Sequence, residues 1–146
     1  CALGGINHIE FTPNNRWQIN KINLGSEYIK DFESRIVLIY SGIPRFSSDI
    51  SMGLLDRLEM KSQLMNRTKD LANEFNKLLM TEGDLSLVSE MLKESWSIKK
   101  GLNPFAITPE LDNFYQSALL KGARAGKVLG AGGGGFFLFW VDTINF

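Results

Sequence analysis

The residues best suited to chemistry lie between positions 130 and 135, where five of six residues are glycine and the sixth is Ala131. Glycine adopts positive φ angles and lets other groups approach the backbone closely. Such a loop can point several backbone N–H groups at an anion, for example a phosphate. It can also simply let a neighbouring segment pack closely. The residues alone leave both interpretations open.

Two common phosphate-binding motifs do not fit this loop. Gly130, Gly132 and Gly135 match the pattern G-x-G-x-x-G. The dinucleotide-binding form of that pattern needs a helix directly after the glycines and an acidic residue about 20 positions later. The bulky apolar residues 136–141 predict a buried strand instead. No Lys-Ser or Lys-Thr pair follows the last glycine, as a P-loop requires. The sequence therefore predicts a strand, a glycine loop and a second strand.

A second candidate site is Arg45 with Ser47 and Ser48, shortly after the apolar run Ile36–Tyr40. A guanidinium, two hydroxyls and a helix N-terminus suit a phosphate or a sugar hydroxyl. An ordinary helix cap with a solvated arginine explains the same residues, because serine is common at N-caps. Chemistry alone favours the ordinary cap.

Other reactive or charged residues give weaker signals. Lys121, Arg124 and Lys127 precede the glycine loop and could add positive potential there. Basic residues are also expected at any helix C-terminus, and we prefer that interpretation. Cys1 and His8 are the only cysteine and histidine, too few for a zinc cluster. A Cys–His nucleophile would lack an evident orienting group, so His8 is predicted to be a partly buried structural residue.

Composition excludes several classes of protein. The 146 residues include 16 basic and 16 acidic ones, which gives no electrostatic reason to expect nucleic acid or an anionic membrane as a partner. No apolar run approaches the ~20 residues that span a bilayer, and no signal peptide is visible. A single cysteine excludes an internal disulfide and suits a cytoplasmic location. The chain lacks an initial Met, and we expect a piece of a longer protein.

The N-terminal third of the chain predicts strands. Ile6–Phe11 and residues 17–24 form a hairpin, with a bulge near Asn20 and Lys21 because the apolar phase shifts there. Residues 25–34 predict a linker or a poorly packed helix. Ile36–Tyr40 predicts a buried strand, because the run is short and rich in β-branched residues.

Helices dominate the middle of the chain. The predicted helices cover about residues 49–58, 60–81 with Gly83 in the C′ position, 84–100 with Asp84 as cap and Gly101 after the end, and 108–122 with Thr108 as N-cap and Pro109 in the first turn. Trp96 and the run 136–140 are predicted core. Strands and helices are segregated along the chain, which indicates an α+β fold.

Four stretches together resemble one enzyme superfamily. The loop with its flanks, Gly126–Phe139, resembles the third glycine-rich motif of the GHMP small-molecule kinases, most of all the D-glycero-D-manno-heptose 7-phosphate kinase branch. Ala2–Phe11, Tyr40–Ser48 and Glu94–Lys100 resemble further segments of that branch, in the same order. The likeness covers nearly the whole chain.

This resemblance implies an architecture and a reaction. Residues 1–31 would be the trailing β-hairpin of an N-terminal, ATP-binding domain. Residues 32–146 would be a ferredoxin-like C-terminal domain with inserted helices, incomplete at its end. The reaction implied is transfer of the γ-phosphoryl of ATP to a hydroxyl of a heptose 7-phosphate. The alternatives are a fucose- or galactose-type kinase and, from another class, a non-catalytic α+β binding or regulatory module.

The resemblance also implies site residues. Arg45, Ser47 and Ser48 would lie near the sugar phosphate. The residues that would lie near phosphate or substrate are Gly130, Ala131, Gly132, Gly133, Gly134 and Gly135. ATP and Mg²⁺ would be bound by the full-length enzyme, for which the resemblance allows a homo-oligomer, and the catalytic Asp would lie upstream of Cys1. Because phosphoryl transfer needs phosphate clamps and a metal together, we expect residues 1–146 alone to be inactive and to bind neither cofactor.

Overall fold

The computed structural model describes residues 3–14, 16–44, 61–103 and 106–142. The elements in chain order are β1 (Ile6–Phe11), β2 (Trp17–Ile22), α1 (Ser26–Ser34), β3 (Ile36–Tyr40), α2 (Ser62–Met80), α3 (Leu87–Leu102), α4 (Pro109–Leu120), β4 (Ala125–Val128) and β5 (Phe136–Trp140). The α+β prediction is confirmed. The helix predicted over residues 49–58 lies outside the described residues.

β1 and β2 form the predicted antiparallel hairpin, but without the predicted bulge. The pairing runs unbroken from Ile6 opposite Ile22 to Phe11 opposite Trp17. The apolar phase shifts because the two ends of the hairpin have different environments. Trp17 is 63% exposed, so its position in the alternation marks no buried face. Ile6 and Ile22, at the other end, pack against buried residues of the helical layer.

The segment after the hairpin forms α1, the poorly packed helix of the two predicted alternatives. No residue of α1 is fully buried. Its inner face nevertheless has specific contacts. The Phe32 ring lies 5.4 Å from the ring of Trp140, and the Tyr28 hydroxyl donates to the carbonyl of Gly83 at 2.8 Å. These contacts attach α1 to β5 and to the end of α2.

β3, β5 and β4 form an antiparallel sheet in that order, so β5 is the central strand among the described residues. β3 pairs with β5 from Ile36 opposite Trp140 to Tyr40 opposite Phe136. The prediction that β3 is buried is wrong, since Leu38 is 58% and Tyr40 is 51% exposed. Apolar composition identified a strand, but it does not say that both faces are covered by the described residues.

Two apolar clusters hold the sheet to the helices. One contains Trp96, Leu111, Tyr115, Val128, Phe137 and Phe139, and the other contains Leu78, Leu79, Leu85, Val88 and Trp140. In the first, the rings of Trp96 and Tyr115 stack at 4.6 Å. The predicted core role is confirmed for Trp96, Phe137, Phe139 and Trp140, whereas Leu138 is half-buried and Phe136 is 52% exposed.

α4 starts and ends as its sequence predicts. The Thr108 hydroxyl accepts from the N–H of Leu111 at 3.3 Å, and Pro109 occupies the first turn, where its missing N–H leaves no helical bond unmade. After the C-terminal turn, Gly122 has φ +106°. A turn with this positive φ angle therefore connects α4 to β4.

The end of α2 differs from its prediction by one residue. Glu82, not Gly83, adopts positive φ, at +47°. The N–H of Gly83 then donates to the carbonyl of Leu78 at 2.8 Å, which closes the helix. A carboxylate oxygen of Glu82 accepts from the N–H of Gly25 at 2.5 Å. This distant contact holds a non-glycine residue in a conformation that glycine would adopt more easily.

α3 begins later and ends later than predicted. The Asp84 carboxylate accepts from the N–H of Ser86 at 2.8 Å. This bond closes a local turn instead of capping the helix as predicted. Ser86 is the observed N-cap and its side chain makes no capping bond. Gly101, predicted just past the end, lies inside α3. The local Asx turn at Asp84 delays the helix, which then continues until Leu102.

Candidate functional site: the glycine loop between β4 and β5

The loop that joins β4 to β5 is built from left-handed backbone. Positive φ angles occur at Gly130 (+67°), Gly132 (+102°), Gly133 (+73°), Gly134 (+151°) and Gly135 (+87°). Such conformations are strained for residues with a Cβ atom. The strand–loop–strand arrangement predicted from sequence is present. The glycines permit it because they adopt these angles without strain.

Backbone hydrogen bonds fix the loop to two other segments. The N–H of Gly133 donates to the carbonyl of Ala106 at 2.8 Å. The N–H of Gly135 donates to the carbonyl of Ile43 at 2.9 Å. These two bonds tie the loop to the segment before α4 and to the segment that leaves β3.

Close packing accounts for two of the glycines. A Cβ added at Gly132 would lie 2.6 Å from the carbonyl oxygen of Ala106, and one added at Gly134 would lie 2.4 Å from that of Ile43. Both distances are far below van der Waals contact. The structure thus supports the close-packing interpretation of the sequence at Gly132 and Gly134.

The anion-binding interpretation survives alongside it. The N–H groups of Ala131, Gly132 and Gly134 find no backbone or side-chain acceptor within the described ranges. Backbone N–H groups normally have partners, and successive free ones form an anion-binding concavity. The loop can therefore be rigidly packed on one side and available to an anion on the other.

Lys99 contacts this loop, and sequence reasoning missed it. Its ammonium donates to the carbonyls of Val128 at 3.2 Å and Gly130 at 2.5 Å. In the sequence, Lys99 is simply a basic residue in the last turn of a helix, which is expected without any ligand. Its contact with the loop depends on how α3 packs beside β4, which no local pattern reveals.

Lys127 does not point into the loop. Its ammonium donates to the hydroxyl of Ser95 at 2.8 Å, and burial lowers the pKa of this lysine. It lines a cavity of about 520 Å³ between the sheet and the helices. The walls of this cavity are mainly apolar, with Leu71, Phe75 and Leu138 among them. A charged amine is disfavoured in such surroundings because it loses hydration.

The basic residues before the loop are not gathered around it. Arg124 pairs with Asp142 at 2.6 Å, where both side chains are exposed, and the pair raises the pKa of Arg124. Lys121 is exposed at the end of α4. Lys127 is bonded to α3. This arrangement agrees with the interpretation that needs no ligand, which the sequence favoured.

Arg45, Ser47 and Ser48 lie outside the described residues, so their proximity to a sugar remains a prediction. The segment that leads to them does reach the loop. Ile43, two residues before Arg45, accepts the hydrogen bond from Gly135, and the N–H of Ser41 donates to the Gly135 carbonyl at 2.9 Å.

Alternative chemistry finds little support in the described residues. His8 is a half-buried hairpin residue whose Nδ1 lies 3.6 Å from a carboxylate oxygen of Glu10. Within the described ranges, no three or more His, Cys, Asp or Glu side chains are grouped closely enough to hold a metal ion. No helix in those ranges combines the length and apolarity needed to cross a membrane.

The antiparallel sheet, the packed helices and the anchored glycine loop match a known class of kinase domain. Residues 69–143 match the family described as GHMP kinases C terminal, and the chain belongs to this family. The resemblance stated from the sequence is thereby confirmed.

Two curated proteins are similar to this chain over most of its length. The chain is 32% identical over 144 residues to a D-glycero-alpha-D-manno-heptose 7-phosphate kinase of Campylobacter jejuni, covering 97% of this chain and 42% of that protein. It is 23% identical over 127 residues to a bifunctional fucokinase/GDP-fucose pyrophosphorylase of Arabidopsis thaliana, covering 84% of this chain and 12% of that protein. The chain thus spans less than half the length of either relative.

Solved structures agree with the fold. A D-glycero-D-manno-heptose 1-phosphate kinase from Bacteroides thetaiotaomicron superposes with a TM-score of 0.66 at 25% identity, over 97% of this chain and 36% of that one. A mevalonate kinase from L. major, solved with R-mevalonate, gives a TM-score of 0.76 at 16% identity, over 94% of this chain and 40% of that one. The second match concerns the fold alone.

Proposed function

We propose that this chain is the C-terminal part of an ATP-dependent kinase that phosphorylates a hydroxyl of a heptose 7-phosphate. The observation that carries the proposal is the 32% identity to a heptose 7-phosphate kinase over 97% of the chain. The similarity of the fold to a heptose 1-phosphate kinase supports a phosphorylated heptose as the substrate class.

The geometry supports a role for the loop in phosphate binding. Phosphoryl transfer is catalysed mainly by positioning the reactants and by stabilising the charge on the transferring group. The loop supplies backbone N–H groups at Ala131, Gly132 and Gly134 that are free of acceptors within the described residues. Their positions are fixed by the bonds to Ala106 and Ile43. In this proposal they bind phosphate oxygens of a substrate, and Arg45, Ser47 and Ser48 bind the sugar.

Among the described residues, no three or more His, Cys, Asp or Glu side chains are grouped to hold a metal ion, so these residues do not by themselves form the Mg²⁺ site of the proposed enzyme. Magnesium needs oxygen ligands such as carboxylates and substrate phosphates. In the proposed enzyme its protein ligands and the catalytic Asp belong to the N-terminal domain.

The proposed domain division places residues 1–31 with that N-terminal domain and residues 32–146 in the C-terminal one. Hairpin residues Ile6 and Ile22 pack against the cluster around Leu78, Leu79 and Trp140. The hairpin would therefore act as the junction between the nucleotide-binding half and the sheet that carries the loop.

A fucose- or galactose-type kinase is the second candidate. The similarity to a plant fucokinase favours it, although over a smaller part of this chain and at lower identity. The two candidates differ in the acceptor. A heptose phosphate presents an anion that Arg45 could pair with, whereas fucose and galactose are uncharged and would rely on hydroxyl contacts.

The test is a substrate panel on the intact gene product. With ATP and Mg²⁺, product formation is followed by mass spectrometry for heptose 7-phosphate, heptose 1-phosphate, fucose and galactose. We expect the heptose 7-phosphate to have the highest kcat/KM. A higher value for fucose or galactose would establish the second candidate. No transfer to any sugar, from a gene product of natural length about that of this chain, would favour the non-catalytic module.

A matched control uses residues 1–146 alone at the same concentration. We expect this segment to be inactive, because the catalytic Asp and the other phosphate clamps lie outside it in the proposed enzyme. Measurable phosphorylation of heptose 7-phosphate by the segment would overturn that expectation.

A further inference from the structure

Lys99 links α3 to the point where β4 becomes the glycine loop. Its ammonium donates to the carbonyls of Val128 and Gly130, at 3.2 and 2.5 Å. These carbonyls flank Leu129, whose N–H donates to the carbonyl of Phe136 at 2.8 Å. One side chain therefore holds both the last residue of β4 and the first residue of the loop.

A second bond runs in the opposite direction, from β4 back to α3. The Lys127 ammonium donates to the Ser95 hydroxyl at 2.8 Å. Ser95 and Lys99 are four residues apart in α3 and so lie on the same side of the helix. We call these reciprocal bonds the α3–β4 clasp. Together they fix the position of β4 along α3 and with it the start of the loop.

The clasp also has an electrostatic consequence. The Gly130 carbonyl belongs to the same peptide unit as the N–H of Ala131. A hydrogen bond from an ammonium to that carbonyl is charge-assisted and polarises the peptide unit, which makes the N–H a stronger donor. The Ala131 N–H has no acceptor in the described part of the chain. It is therefore both held in place and strengthened as an anion donor.

We infer that Lys99 is a positioning residue for phosphoryl transfer: through the Gly130 carbonyl it holds the loop in the conformation in which the Ala131 N–H binds a phosphate oxygen. Lys99 itself touches no substrate. The inference depends on the proposed kinase function for the reaction, whereas the clasp depends only on the geometry.

The variants are chosen to separate the clasp from general helix stability. Lys99→Met keeps most of the length of the side chain but removes the donors, and Lys99→Arg retains a cation with several donors. Lys100→Met is the matched control, because the Lys100 ammonium pairs with Asp112 at 2.6 Å and is not bonded to the loop. Each variant is made in the intact gene product.

Two measurements are made on each protein: hydrogen–deuterium exchange of peptides covering residues 129–137, and steady-state kinetics with ATP and heptose 7-phosphate. For Lys99→Met we expect about tenfold faster exchange and a kcat lower by about tenfold or more, as for loss of a preorganised donor. Because the inference assigns the Ala131 N–H to the phosphoryl group during transfer, the KM for the sugar should change by less than about threefold. Lys99→Arg should recover most of the kcat, and Lys100→Met should alter neither quantity.

Other results overturn the inference at identifiable points. Unchanged exchange in Lys99→Met would refute the clasp, and faster exchange with unchanged kcat would refute the positioning role. If Lys99→Met does not fold, Lys99→Gln, which removes the charge but keeps a polar side chain, is subject to the same criteria. A wild-type protein that phosphorylates no sugar would refute the proposed function and the positioning role with it, while exchange would still decide the clasp.

Discussion

β4 is entered through Gly122, with φ +106°, and left through a loop that contains Gly132, with φ +102°. The backbone angles are nearly the same, but the surroundings differ. A Cβ at Gly122 would meet no atom within 4 Å, whereas one at Gly132 would lie 2.6 Å from the Ala106 carbonyl oxygen. At the first end glycine is needed only for its conformation. At the second it is needed for conformation and for space.

The charged residues at the two ends show the same contrast. At the entry, Arg124 forms an exposed ion pair with Asp142. At the exit, Lys127 is bonded to Ser95 in largely apolar surroundings and Lys99 is bonded to two backbone carbonyls. The entry to β4 is a solvated turn that joins two elements. The exit is built into the tertiary structure, which makes it the end suited to hold a ligand precisely.

The largest difference is expected between Gly132→Ala and Gly122→Ala. Both substitutions place a Cβ at a positive φ angle, which lowers the stability of the folded protein by about 1–2 kcal/mol. Gly132→Ala adds a clash with backbone that cannot move aside easily, about 1–3 kcal/mol more by analogy with overpacked cores. Urea unfolding of the intact protein measures the loss of stability in each variant. Hydrogen–deuterium exchange at residues 129–137 shows whether the loop itself is loosened. Equal losses of stability would show that the crowding at Ala106 is relieved by a small shift.

A second difference is expected in the pH dependence of stability at Lys127. Burial lowers its folded pKa below the ordinary value of 10.5, so between the two values the unfolded chain binds more protons. Stability should therefore rise with pH across that window and fall as pH decreases through it. Against Lys127→Met, the wild type should gain stability as the pH rises towards 10, as measured by thermal unfolding. The control is Lys121→Met, at the exposed end of α4, which leaves Lys127 in place and should keep the wild-type response. A parallel response of wild type and Lys127→Met would contradict the burial argument.

The smallest effect is expected for Arg124→Ala. The ion pair with Asp142 is exposed, and exposed pairs contribute little because water and salt screen them. The unfolding midpoint should remain within experimental error at physiological salt. A clear destabilisation would mean that the entry to β4 is as tightly integrated as its exit, and the contrast between the two ends would be lost.

Local features of the fold were predictable from sequence. The start of α4 at Thr108 and Pro109 was predicted correctly because an N-cap and its first turn depend on adjacent residues. The strand–loop–strand unit was predicted for the same reason, since the apolar run 136–140 and the glycines before it are contiguous. The GHMP resemblance extended these local features to a family, which the comparison confirmed.

Features that depend on distant residues were not predictable. The left-handed position after α2 falls on Glu82 because its carboxylate binds Gly25, 57 residues away in the chain. The bulge in β2 was wrong because the exposure of Trp17 cannot be read from its type. The role of Lys99 required the packing of α3 beside β4. The candidate site was thus found through its glycines, while the groups that hold it were found only in three dimensions.

The crowding at Gly132 and Gly134 has a consequence for how this loop would change during evolution. Both glycines face backbone carbonyls of the same chain, so losing a substrate would not relax the requirement for them. A descendant that had become a pseudoenzyme would still need glycine at these two positions in order to fold. The glycine pattern would then be retained for structural reasons alone. Its presence would not show which members of a lineage still turn over substrate.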